Sequence, residues 1–179
     1  MVLLSTLRLT LRRFQPDDAA ALVAYRSHPD VARYQSWAAP VSVETAREII
    51  AGFAAADPHQ TGWFQYAIEC EHVLIGDVGV NLHENGMQAD IGFTLAPAYQ
   101  GRGYATEAVR SVVRHLFAAQ GLHRISAECD ARNLRSARLL TRVGFQHEGR
   151  RRANTWIKGE WTDDLLFGLL ADEWRSSPR

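Results

Sequence analysis

Cysteine is scarce. The 179-residue chain has two, Cys70 and Cys129, in neither a CxxC pair nor a cysteine–histidine pattern with ligand spacing. That argues against a disulfide framework and reads as two reduced, partly buried thiols. The seven histidines are scattered, so no metal is expected. Long apolar runs are missing as well: nothing reaches the ~18 residues a membrane span needs. The opening MVLLSTLRLTLRR lacks the apolar region and small-residue cleavage site of a secretory signal. A cytoplasmic protein without a membrane partner is the expectation. Net charge is zero, with 20 basic and 20 acidic residues, so no global field draws the chain to nucleic acid. Lysine is nearly absent, Lys158 being the exception among arginines. Codon bias explains that, although arginine also suits phosphate recognition.

What is present is an ordinary globular composition, 46% hydrophobic and 22% charged, and enough chain for one domain over residues 1–179. No repeat or low-complexity linker divides it. TLRLTLRRF, from Thr6 to Phe14, alternates leucine with polar residues and predicts a half-buried strand. Pro16, Asp17 and Asp18 open an alanine-rich helix to about Ser27, and Ser42 caps another to about Ala56. WFQYAIE (63–69) and VLIGDVGV (73–80) predict a hairpin, and ADIGFTLA (89–96) adds a further strand. From Gly103 to Gln120 the apolar residues change to helical spacing, at Ala105, Ala108, Val109, Val112, Val113, Leu116 and Phe117. Gly121 ends that helix, and HRISAEC (123–129) returns as a strand. A strand–helix–strand unit of this length implies a parallel pair. A helix over 134–143, with Arg135, Arg138 and Arg142 on its solvent side, and strands over 146–157 and 162–171 complete the chain.

The stretch YQGRGYATEA (99–108) carries the functional signal. It is a glycine turn that opens a helix, and a helix N-terminus bears about half a positive charge and up to four unpaired N–H donors. Gly101 and Gly103 would let a phosphate approach the backbone; a tight turn without ligand fits the glycines equally well. The nucleoside-triphosphate loop, which ends in Gly-Lys-Ser/Thr, is absent. The dinucleotide fingerprint G-x-G-x-x-G fits Gly101 and Gly103 but meets Thr106 at its third glycine, and a hairpin meander precedes it.

Gln100, Gly103 and Ala105, as Q-x-x-G-x-A, resemble the pyrophosphate-binding motif of the GNAT acetyltransferase superfamily. LRLTLRRFQPDDAAAL is similar to that family's opening strand and helix, and LIGDVGV to its third strand. ADIGFTLAPAYQGRGYATEA and NLRSARLLTRVGF (133–145) resemble its RimJ/RimL branch. Four such segments in the family's order cover nearly the whole chain. The resemblance implies an α/β (α+β) fold, a mixed and mostly antiparallel seven-stranded sheet with helices on both faces. Its fourth and fifth strands (89–96 and 123–129) form a parallel pair that splays apart. It implies an N-acetyltransferase that moves an acetyl group from acetyl-CoA to a primary amine, a protein N-terminus or a small molecule, in a ternary complex. A succinyl donor, an inactive CoA-binding module and a dinucleotide-binding protein are the alternatives, and a homodimer is a further expectation.

By the same resemblance the pantetheine arm pairs with backbone at Phe93, Thr94 and Leu95, where an N–H would also meet the thioester oxygen. The pyrophosphate would lie on Gln100, Gly101, Arg102, Gly103, Tyr104, Ala105 and Thr106. Asn133 would contact pantetheine and Ser136 would protonate the departing thiolate, although Asn-x-x-Ser at a helix start is also capping chemistry. Arg132, Arg135 and Arg138 would either meet the 3′-phosphate or form a solvated face. Asp90 is the first candidate for general base, followed by Glu84 and His83. Tyr34, Trp37 and Trp63 would either line an acceptor pocket or sit in the core.

Overall fold

The protein is described here by a computed structural model covering residues 2–176. One eight-stranded sheet runs in the order β1-β2-β3-β4-β5-β6-β8-β7. Its strands are β1 (Val2–Ser5), β2 (Thr10–Arg12), β3 (Gly62–Cys70), β4 (Val73–Leu82), β5 (Gln88–Leu95), β6 (Arg124–Asp130), β7 (Gln146–Ile157) and β8 (Glu160–Leu170). The helices are α1 (Ala19–Arg26), α2 (Pro29–Ala32), α3 (Val43–Ala55), α4 (Tyr104–Ala118), α5 (Leu134–Val143) and α6 (Ala171–Ser176).

The strand count corrects the sequence expectation of seven. Thr6 and Leu9 close a turn, Thr6 N–H donating to the Leu9 carbonyl at 2.9 Å and Leu9 N–H to Thr6 Oγ1 at 2.9 Å. This turn breaks the expected 6–14 strand and leaves β1 and β2 as a short hairpin. The alternation of leucines is real, but a threonine that bonds its own backbone competes with the ladder.

Helices cover both faces, as expected. On one face α1 and α3 bury Leu22, Tyr25, Ala46 and Ile50 against Ala67 and Leu74. On the other, the α4 stripe of Ala108, Val109, Val112, Val113 and Leu116 packs with Leu139, Leu140 and Val143 of α5 on Tyr66, Val78, Ile91 and Ile125. Each fully buried aliphatic side chain contributes roughly 1.5–3 kcal/mol, so this double-sided core is the main source of stability. Arg12 crosses from sheet to helix, its buried guanidinium held by Asp18 at 2.8 Å and Glu69 at 2.5 Å. Both cysteines are free. Burial, helped by Asp130 and Asp164, pushes the Cys129 thiol up to about 11, which leaves it a poor nucleophile at neutral pH.

The ladder contains one parallel pairing, β5 with β6, and it is incomplete. Register runs from Gln88↔Arg124 to Ile91↔Ala127 and then stops, although β5 continues to Leu95 and β6 to Asp130. The strands part there because β6 stays paired with β8 through Asp130↔Asp164, while β5 stays with β4 through Leu95↔Gly76. A gap with a free β5 edge opens between them.

Candidate active site

The gap widens into a cleft of about 930 Å³, within the usual range of small-molecule sites, ~300–1,000 Å³. Its walls are the free end of β5, the turn before α4, the first turns of α5, and α2 with the residues after it. Of the residues expected to bind pantetheine or pyrophosphate or to serve as first-choice acid and base, Phe93, Thr94, Leu95, Gln100, Gly101, Gly103, Tyr104, Ala105, Thr106, Asn133 and Ser136 line it. Two do not. Arg102 is exposed, and Asp90 lies further back along β5.

Gly101 and Gly103 have φ of +76° and +83°, a left-handed backbone that L side chains rarely adopt. The consequence is a row of donors. Among the described residues the backbone N–H groups of 101 to 106 have no acceptor; the first closed bond of α4 runs from Glu107 N–H to the Gly103 carbonyl at 3.0 Å. The turn is held from outside by Arg8, whose Nη1 donates to the Arg102 carbonyl at 3.1 Å. Its guanidinium also lies over the Tyr104 ring, 4.4 Å from the centroid. From inside, Gln100 Nε2 donates to the Leu95 carbonyl at 2.9 Å, tying the turn to the end of β5. Gln100 therefore shapes the loop through its side chain. Sequence reading missed Arg8: it lies 94 residues from Arg102, and no local pattern marks such a contact.

Asn133 caps α5, its Oδ1 accepting from Ser136 N–H at 3.2 Å. Capping occupies only the backbone of Ser136. Among the described residues the Ser136 hydroxyl and the Asn133 amide nitrogen have no hydrogen-bond partner, and both residues line the cleft. Arg135, Arg138 and Arg142 line the same wall; Arg135 Nη1 reaches Gln100 Oε1 at 3.2 Å. Arg132 is already engaged by Asp130 at 2.7 Å and Glu160 at 2.9 Å. Its counter-charge is thus largely spent within the protein.

The opposite face of the sheet holds the remaining candidates. Asp90 Oδ2 is 2.8 Å from His83 Nε2 and accepts from Asn81 Nδ2 at 3.2 Å. Facing a carboxylate, His83 presents a protonated Nε2. Glu84 is exposed on the turn beyond. Asp77, across from Thr94, is buried between the Tyr25 hydroxyl at 2.6 Å and Arg26 Nη2 at 3.4 Å. Burial raises its carboxyl above the usual range against the pull of Arg26 and Tyr25. Tyr34 lines the cleft, whereas Trp37 stacks on Arg26 at 4.5 Å and Trp63 stands 55% exposed on β3.

The acetyltransferase (GNAT) domain model matches residues 8–146 of this chain. The chain belongs to the GNAT acetyltransferases. It is similar to the uncharacterized N-acetyltransferase p20 of Bacillus licheniformis, with 34% identity covering 97% of this chain and 99% of the relative. The alanine N-acetyltransferase of ribosomal protein uS5 from Escherichia coli is 34% identical over 84 residues, 47% of this chain and 43% of that enzyme. Among solved structures, a GNAT acetyltransferase from Bacillus anthracis superimposes with a TM-score of 0.86 at 25% identity, covering 96% and 99% of the two chains. RimL, the ribosomal L7/L12 acetyltransferase, solved with coenzyme A, shares the fold at 20% identity and a TM-score of 0.85, with 97% and 99% covered. This GNAT chain is an N-acetyltransferase with RimJ/RimL-like relatives, an enzyme of a kind that depends on acetyl-CoA. Among the described residues, no helix is long and apolar enough to cross a membrane.

Proposed function

We propose that residues 1–179 act as one domain that transfers the acetyl group of acetyl-CoA to a primary amine by direct attack within a ternary complex. One observation carries this reading. Six consecutive amide donors, 101 to 106, without acceptors among the described residues stand beside a β5 edge that has lost its partner strand. A diphosphate needs the first feature and an extended amide-bearing arm needs the second. The free edge over Phe93–Leu95 would pair with pantetheine and offer an N–H to the thioester oxygen as charge develops there. Arg135 and Arg138 add positive charge along the cofactor's wall.

In this scheme the amine attacks the thioester carbon, the C–S bond breaks as the tetrahedral intermediate collapses, and the thiolate takes a proton through the Ser136 hydroxyl, which regains one from water in the same transfer. The amine's proton passes to Asp90 through water, with His83 and Asn81 holding the carboxylate in place. An α-amine with a pKa near 8 is neutral about a tenth of the time at pH 7, whereas a lysine amine near 10.4 is neutral only ~10⁻³ to 10⁻⁴ of the time. A weak base reached through water therefore suits an α-amine or a small amine of similar basicity. The uS5 alanine acetyltransferase among the relatives is consistent with that class. Thiol release from acetyl-CoA over a panel of amines tests the proposal: release should require an amine. Binding of acetyl-CoA without release would show a cofactor-binding module instead.

A further inference from the structure

The half of the sheet not covered by α1 and α3 contains an arrangement that neither cofactor binding nor the core requires. Gln65 on β3, Gly79 on β4 and Gly92 on β5 lie side by side in register, as Gln65↔Gly79 and Gly79↔Gly92. The Gln65 carboxamide is folded flat onto Gly79: Nε2 and Oε1 lie 2.7 and 2.8 Å from the point where a Cβ of Gly79 would stand. A methyl group at Gly79 would have to displace the carboxamide from this position. Among the described residues that carboxamide has no hydrogen-bond partner, and Gln65 as a residue is half-buried. Over Gly92 the corresponding point is open, with nothing within 4 Å.

Gly92 is also where the sheet parts. It follows Ile91, the last residue of β5 paired to β6. Alternation puts Asp90 on the same face as Gly92, about 7 Å away along the strand, and neighbouring strands lie about 4.8 Å apart. An amine arriving over Gly92 would therefore have the Asp90 carboxylate on one side and the free edge of the Gln65 carboxamide on the other. The carboxylate suits an ammonium group. A carboxamide with both an N–H donor and a C=O acceptor, left without partners among the described residues, matches another amide rather than an alkyl chain or a charge.

We infer that Gln65, seated on Gly79, is a specificity-determining residue that selects acceptors carrying an amide on the carbon next to the reacting amine. This rests on the proposed acetyl transfer and adds the acceptor's second recognition group. A side chain that finds its partner only in the substrate discriminates strongly, because an acceptor without the amide leaves it unsatisfied.

The test compares kcat/KM for alaninamide and isopropylamine in the wild type, Gln65→Leu and Gly79→Ala. The wild type should favour alaninamide, and both variants should lower the alaninamide-to-isopropylamine ratio at least ~10-fold, chiefly through KM. Gly79→Ala keeps the carboxamide but lifts it from its seat, so agreement between the two variants separates position from chemistry. An unchanged ratio in folded variants that still release thiol would overturn the inference while leaving acetyl transfer standing. If no amine supports turnover, the proposed function fails. The side-chain amide resonance of Gln65 then decides the inference alone: it should shift with alaninamide and not with isopropylamine, and no shift overturns it.

Discussion

Arg8 grips Glu107 across 99 positions of chain, Nε at 2.8 Å and Nη2 at 2.6 Å from Glu107 Oε2. Glu107 Oε1 accepts from Thr6 Oγ1 at 2.6 Å and from the Arg8 N–H at 3.0 Å. The turn after β2's partner strand is thereby bolted to the first turn of α4, the same helix whose start is proposed to hold the diphosphate. Burial pushes the Glu107 carboxyl up, but the bonds from Thr6 and Arg8 outweigh it, and the group titrates below its usual range. A lowered folded-state pKa stabilises the protein above the unfolded value of about 4.3 and loses that contribution as pH falls through the folded value. Glu107→Gln should cost about 1 kcal/mol at pH 7, discounted because Arg8 is 41% exposed, and the deficit should shrink below about pH 4. Urea unfolding at several pH values measures it.

Gly103→Asp should weaken acetyl-CoA binding about 100-fold, or about 2.7 kcal/mol. The position has φ +83°, and a carboxylate would be set among amides that await an anion. Calorimetry on variant protein that melts cooperatively reads this directly. Unchanged affinity would show that the diphosphate lies elsewhere.

Ser136→Ala should slow turnover by about 100-fold, the low end for an acid acting on a good leaving group, while acetyl-CoA affinity holds. The Asn133 cap bonds the backbone of residue 136 and survives the substitution. Equal losses in affinity and turnover would make the hydroxyl a cofactor contact.

Asp77→Ala should cost about 3 kcal/mol, roughly 6–12 °C in Tm, because the Arg26 charge and the Tyr25 hydroxyl then lose their buried partner. Asp77→Asn keeps an acceptor for Tyr25 and should cost less. Its pH dependence runs opposite to that of Glu107. The folded pKa of Asp77 is raised, so wild-type stability falls as pH rises above the unfolded value of about 3.9. The deficit of Asp77→Asn should therefore shrink toward higher pH, which thermal melts between pH 4 and 8 would show.

Much of this was legible without coordinates. Helical spacing in α4 and α5 is a local signal and survived folding, with Asn133 and Gly144 capping α5; the C-cap of α4 is Ala119, two residues before the left-handed Gly121. The β3–β4 hairpin did as well, since its two runs pair almost end to end. The first strand was misread because Thr6 closes a turn on Leu9, a choice between two hydrogen-bond partners that alternation cannot weigh. Arg102 adjoins the two turn glycines in sequence, yet it is exposed and does not line the cleft. For Arg132 the sequence leaves a 3′-phosphate contact and a solvated face both open, and neither reading contains the pairing with Asp130 and Glu160 that the fold brings about.

The amino-acid order by itself determined the mixed sheet, the parallel crossover and the glycine turn ahead of α4, because each depends on periodicity or backbone freedom within a few residues. The tertiary structure alone decided where β5 and β6 part, how Arg8 reaches Arg102 and Glu107, and that the Gln65 carboxamide lies against Gly79. Those relations join residues tens of positions apart through strand register and side-chain length, and neither quantity is written in any local stretch of sequence.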